Sequence, residues 1–94
     1  MKIIGFIWYD EIVKKLEQKH NVQQYEVREV IVNHPQFRFV EKGHQPDENV
    51  YAALGRTRTG RYLIIFFIHK KDKHALIISA RDMTRAERRK YEQK

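Results

Sequence analysis

Residues 62–68, "YLIIFFI", are apolar or aromatic at every position. A strand with one face in water alternates polar and apolar side chains; one with no polar side has to be covered on both faces. The run is flanked by "TRTG" and "KKDK", which are short enough for antiparallel hairpins and too short for a parallel crossover. "NVYAALGR" and "HALIISAR" on either side therefore become its neighbours, in a meander centred on 62–68 with helices over at least one face.

The remaining segments supply those helices. "IIGFIWYD" is bulky and rich in β-formers, which predicts a first strand with Trp8 as a core anchor. Asp10 is placed to cap the helix that follows, where Ile12, Val13 and Leu16 share one face of "EIVKKLEQKHN". Lys19 and His20 suit its C-terminal dipole, and Asn21 suits a left-handed stop. "VQQYEVREVIVNHP" fits two periods: Val27, Val30 and Ile31 make a helical stripe, while "VREVIV" is also β-branched. Helix is expected, and Pro35 ends it either way. "QFRFVEKG" alternates as a strand before the loop "GHQPDEN", and "TRAE" is a capping box in which Thr84 and Glu87 start a last helix. The order strand, helix, helix, four strands, helix predicts an α+β fold: a mainly antiparallel sheet with two N-terminal helices and a C-terminal helix. At 94 residues one hydrophobic core, hence a single domain over 1–94, is expected.

Nineteen Lys and Arg against twelve Asp and Glu give a net charge of +7. That attracts nucleic acid, acidic proteins or an anionic membrane face. Without cysteine there is no disulfide, thiol nucleophile or cysteine metal site. The five histidines, His20, His34, His44, His69 and His74, have no spacing such as HExxH, so no metal is expected. No GxSxG, phosphate-cradling glycine loop or dinucleotide fingerprint occurs, and no cofactor is expected. Asp10 and Glu11 interrupt the apolar start, and no run is long enough to span a bilayer. The expected location is the cytoplasm, with no membrane partner.

The chemistry is concentrated in arginine. Strict alternation along "HALIISARD" puts Ala75, Ile77, Ser79 and Arg81 on one face and Leu76, Ile78 and Ala80 on the other. Arg61 opens the neighbouring strand, while Arg85, Arg88 and Arg89 follow on the capped helix, so guanidinium groups are expected around one end of the sheet. Their planar fork and permanent charge match phosphate. Alternatively, Arg88 and Arg89 pair with Asp82, Glu87 or Glu92 as a solvated helix face. Tyr91 is either an anchor of the last helix or a phenol near a substrate phosphate, and His20 either a helix-terminal residue or an acid–base group.

"FIWYD", "KHN", "ENVYAALGRTRTGRYLIIFF" and "IISARDMTRAERRKYE" resemble, in that order, the BrnT family of bacterial type II toxins, small ribonucleases neutralised by a partner antitoxin. The resemblance implies a RelE-like α+β fold and metal-independent cleavage of RNA. The matching positions are Trp8, Asp10, Lys19, His20, Arg61, Ser79, Arg81, Glu87, Arg88 and Tyr91. The chain departs where "WYD" replaces a tryptophan–aspartate pair and where Asn21 replaces glycine. Cleavage without a metal needs a base for the 2′-hydroxyl, cations for the phosphorane and an acid for the 5′-oxygen. Arg61, Arg81 and Arg88 are the candidates for charge stabilisation, His20 or Tyr91 for proton transfer, and Lys19, Ser79, Arg85 and Arg89 for RNA contact. The expected partners are RNA and a cognate antitoxin. Two other functions fit the same charges: a nonenzymatic nucleic-acid-binding module, and a domain whose basic face docks an acidic protein.

Overall fold

In the computed structural model, which describes residues 1–93, eight elements follow the expected order. They are β1 (Gly5–Ile7), α1 (Asp10–His20), α2 (Gln24–Val32), β2 (Gln36–Glu41), β3 (Val50–Arg56), β4 (Tyr62–His69), β5 (His74–Asp82) and α3 (Arg85–Glu92). The fold is α+β, as expected. The five strands form one sheet in the order β1-β5-β4-β3-β2, antiparallel except where β1 pairs with β5. β4 is the middle strand, which accounts for its missing polar face. Leu63, Ile65 and Phe67 point to one side and are completely buried, and Ile64 is buried on the other. Each such side chain contributes about 1.5–3 kcal/mol by leaving water.

The main core joins Leu16 of α1 and Val27, Val30 and Ile31 of α2 to Ala53, Leu63, Ile65, Phe67, Ala75, Ile77 and Ala80 of the sheet. Trp8 packs against this core, as the sequence predicts. Helix α2 lies close to β3 at Gly55, where a Cβ would come within 3.0 Å of Val30 Cγ1. On the opposite face Ala52, Leu54 and Ile64 form a smaller cluster with Phe66, Met83 and Tyr91, the last of these carried by α3.

Helix α1 ends as expected. Asn21 is left-handed at φ 51°, and the Val22 N–H reaches back to the Leu16 carbonyl at 3.0 Å. Its start differs: Tyr9 is the N-cap, Asp10 is the first helical residue, and no side chain caps the helix. Asp10 and Glu11 act instead as negative charges in the first turn, where the helix dipole favours them. The ambiguous second segment is helical, with Val27, Val30 and Ile31 buried along one face and the Gln23 N–H donating to Glu26 Oε1 at 3.0 Å across its start.

Strand β5 departs from strict alternation. Phe66 pairs with Ser79, but the next residue, Phe67, pairs with Ile77, so Ile78 is an extra residue in a β-bulge. Ala75 and Ile77 therefore face α1 and α2 together with Ala80, not with Ser79 and Arg81. Beyond the bulge Ser79 and Arg81 turn to the α3 side, opposite Phe66 and Ile64.

Candidate nucleic-acid interface

The β3–β4 hairpin sets one edge of the site. The Thr57 N–H donates to the Arg61 carbonyl (2.9 Å), the Arg61 N–H donates to Thr57 Oγ1 (3.0 Å), and Gly60 takes φ 93° between them. Arg61 is thereby fixed at the start of β4 with its side chain on the α1/α2 side. Its Nε donates to Asp82 Oδ1 (2.8 Å), and Nη2 to Asp82 Oδ2 (3.3 Å) and the His20 carbonyl (2.9 Å). Nη1 donates to the Asn21 carbonyl (2.6 Å) and to Glu26 (3.1 Å to Oε1). These contacts occupy all five N–H groups of the guanidinium. The hydrogen bond it donates to Asp82 leads the interactions that raise its pKa above the ordinary arginine value, against the opposing effect of burial.

Asp82 joins this clamp to the next arginine. Its carboxylate holds Arg61, while its carbonyl accepts from Arg81 Nη1 at 3.1 Å. Arg81 also grips Glu87 with both arms, Nη1 to Oε1 at 2.7 Å and Nη2 to Oε2 at 3.0 Å, and lies 5.7 Å from the centre of the Phe66 ring. Glu87 completes the capping box expected from "TRAE": its Oε1 accepts the Thr84 N–H at 2.9 Å, and its own N–H donates to Thr84 Oγ1 at 3.1 Å. The Arg81 guanidinium, helped by the Thr84 amide and opposed by burial, pulls the Glu87 carboxyl down to about 2.

Helix α3 brings in the other residues. Arg88 sits 3.9 Å above the Tyr62 ring and only 3.7 Å from Glu92, and Tyr62 donates its hydroxyl to Glu92 at 3.1 Å. Tyr91 meets Tyr62 edge to face at 6.0 Å, and its carbonyl accepts from Gln36 Nε2 at 2.9 Å, which ties α3 to the edge strand β2. The acids thus take separate partners: Asp82 pairs with Arg61, Glu87 with Arg81, and Glu92 with Arg88.

The structure brings Arg61, Arg81, Arg88, Glu87 and Tyr91 to the same end of the sheet, with Arg61 on the α1/α2 side and the others on the α3 side. Arg85 and Arg89 are exposed on α3, and Ser79 is half-buried on β5 one pair further from that end. His20 and Lys19 belong to the last turn of α1, half-buried and exposed respectively. The link from His20 to the cluster runs through its own carbonyl and Arg61.

Three contributors were not anticipated from sequence. Glu26, 8% exposed, has the same box spacing from Gln23 as Glu87 has from Thr84, a signal that could have been found. Tyr62 and Arg56 carry no such mark. The cluster is an open surface, and a groove of about 500 Å³ lined by Ile3, Phe6, Ile31, His34 and Phe37 holds none of its arginines. Among the described residues, no three His, Asp or Glu side chains are grouped to hold a metal ion, and no helix is long and apolar enough to cross a membrane.

Two comparisons with known proteins concern the chain as a whole. Residues 8–87 of the 94 match the family model described as "Ribonuclease toxin, BrnT, of type II toxin-antitoxin system". No curated protein matches the chain.

Proposed function

Because the chain belongs to the BrnT ribonuclease toxins of type II toxin–antitoxin systems, we propose that it cuts RNA internally, without a metal ion, at the arginine-bearing end of its sheet. The convergence of Arg81, Arg88 and Tyr91 beside the Arg61 clamp carries this proposal. In the reaction the 2′-oxygen attacks phosphorus and the bond to the 5′-oxygen breaks, leaving a 2′,3′-cyclic phosphate and a 5′-hydroxyl. A base takes the 2′ proton, an acid protonates the departing oxygen, and negative charge builds on the non-bridging oxygens in between.

Arg81 and Arg88 are the groups for that charge. A strand end and a two-armed bond to Glu87 hold Arg81, and fixed cations need little reorganisation as charge develops. Arg61, with its donors committed, positions Asp82 and through it Arg81. Proton transfer falls to His20 or Tyr91, while Lys19, Ser79, Arg85 and Arg89 contact the flanking RNA. The protein acts in the cytoplasm, where its antitoxin neutralises it.

Incubation of the purified chain with end-labelled single-stranded RNA, with and without EDTA, tests the proposal. Fragments ending in cyclic phosphate and unaffected by EDTA are expected. RNA that stays intact with folded protein sinks the nuclease reading, and retarded but uncut RNA points to a binding module. His20→Ala and Tyr91→Phe separate the proton carriers, since loss of the true base or acid removes one limb of the pH–rate profile.

A further inference from the structure

The arginines at this end of the sheet differ in how many N–H groups they leave free. Arg61 has spent all five, and Arg81 has spent three, keeping its Nε–H and one Nη2–H. Arg56, the last residue of β3, pairs with Tyr62 across the ladder and is exposed. Its guanidinium carbon lies 5.0 Å from the centre of the Tyr62 ring, and its Nη2 passes beside Gly60, 3.5 Å from where a Cβ would stand. Among the described residues it has no hydrogen bond or ion pair through its side chain. Arg88 lies on the same ring at 3.9 Å, with only the loose 3.7 Å approach to Glu92.

Two cations are therefore held against one aromatic ring, while their N–H groups remain open to solvent. The ring attracts each of them, and Glu92, bonded to the Tyr62 hydroxyl, is paired with Arg88, whereas Arg56 has no anion of its own. A phosphate on the open fork of Arg56 would supply one. We infer that Arg56, held against Tyr62 beside Arg88, forms a second phosphate subsite, which takes a backbone phosphate of single-stranded RNA next to the phosphate at Arg81 and Arg88.

The inference rests on the RNA reading of the surface. Its geometry supports a neighbouring phosphate: Tyr62 and Ile64, the partners of Arg56 and Arg81, are two residues apart on β4. That step of about 7 Å, with β3 and β5 about 10 Å apart across β4, puts the two Cα atoms about 12 Å apart, a gap two arginine side chains can bridge to phosphates one nucleotide apart. Tyr62 does not serve as a base-stacking platform here, because Arg88 covers its face and Tyr91 meets it edge to face.

The test measures binding of a fluorescent 2′-O-methyl oligonucleotide, which lacks the reactive hydroxyl, as a function of salt. Arg56→Gln should lower the slope of log affinity against log salt by about 0.7, the value for one phosphate contact on a single strand. It should weaken binding about tenfold at moderate salt, as for one charge-assisted hydrogen bond. Arg56→Lys keeps the charge and should keep the slope while losing affinity. Lys42→Gln, which removes an equal charge from the β2–β3 loop, should leave the slope unchanged. An unchanged slope in Arg56→Gln, an equal drop in Lys42→Gln, or no salt-dependent binding by the parent overturns the subsite. Melting temperatures beside each isotherm identify an unfolded variant, in which case Arg56→Lys decides through affinity. Cleavage is scored separately: a chain that binds with the expected slopes but does not cut retains the subsite and loses the nuclease reading.

Discussion

An arginine can bind phosphate only with N–H groups that nothing else has taken, and by that measure the arginines here divide into two kinds. Arg61 clamps the end of α1, the start of α2 and the end of β5, facing the buried carboxylate of Glu26. Arg61→Ala should cost about 3 kcal/mol, because it strands that carboxylate, and a urea midpoint lower than the parent's is the expected result. An unchanged midpoint with lost cleavage would move Arg61 into the chemistry. For Arg81 the expectation is the reverse. Arg81→Lys keeps the charge but loses the fork, and should lower cleavage on the order of ten- to a thousandfold, while Arg85→Lys changes it little. Glu87, which holds Arg81, titrates at about 2 when folded, against an ordinary 4.5. The pairing therefore contributes fully above about pH 4.5 and is lost as pH falls toward 2. Between those limits the melting temperature of the parent should drop more steeply than that of Glu87→Gln; parallel curves would show that the pair is not linked to folding. The gathering of these arginines at one end of the sheet was legible in "GRY" and "SARD", but their division was not, because the partners of Arg61 come from residues 20, 21, 26 and 82 and meet only in the fold.

Among the elements, α3 carries much of the site with little packing beneath it, since none of its residues is fully buried. Its N-terminus depends on the Thr84 box, which was plain in "TRAE" because capping is local chemistry written within four residues. Thr84→Ala should remove about 1 kcal/mol, fray the helix and loosen Arg88 and Tyr91. The expected readout is a loss of α3 amide protection together with lower cleavage; full protection would place the stability of α3 elsewhere, at Tyr91 and Gln36. The bulge in β5 was hidden for the opposite reason. One inserted residue leaves "ALIISAR" looking regular, and only pairing with β4 shows where the face changes. Without Ile78 as the extra residue, the alternation that buries Ala75 and Ile77 would drive Arg81 toward the main core. The same element thus packs on α1 at one end and presents a cation on the α3 side at the other.

For the whole molecule, the order of all eight elements and the central place of β4 could be inferred from hydrophobic period and hairpin length, both short-range signals. The sheet order was less accessible, because β1 finds its neighbour through a register, Gly5 with His74, that no local pattern announces. With a net charge of +7, the parent should lose RNA affinity steeply as salt rises, and an affinity indifferent to salt would refute phosphate as the main contact. The distant pairing of β1 also has a consequence in time. Sixty-nine positions separate Gly5 from His74, and at about 5–20 residues per second a ribosome needs several seconds to make one after the other. Until β5 exists β1 has no strand to join, whereas the β3–β4 hairpin can close as soon as it is made. Pulsed hydrogen exchange during refolding should accordingly protect β3 and β4 amides first and those of residues 5–7 last. By the proposed mechanism the chain cannot cut RNA for most of its own synthesis, because the strand that completes the sheet also carries Arg81.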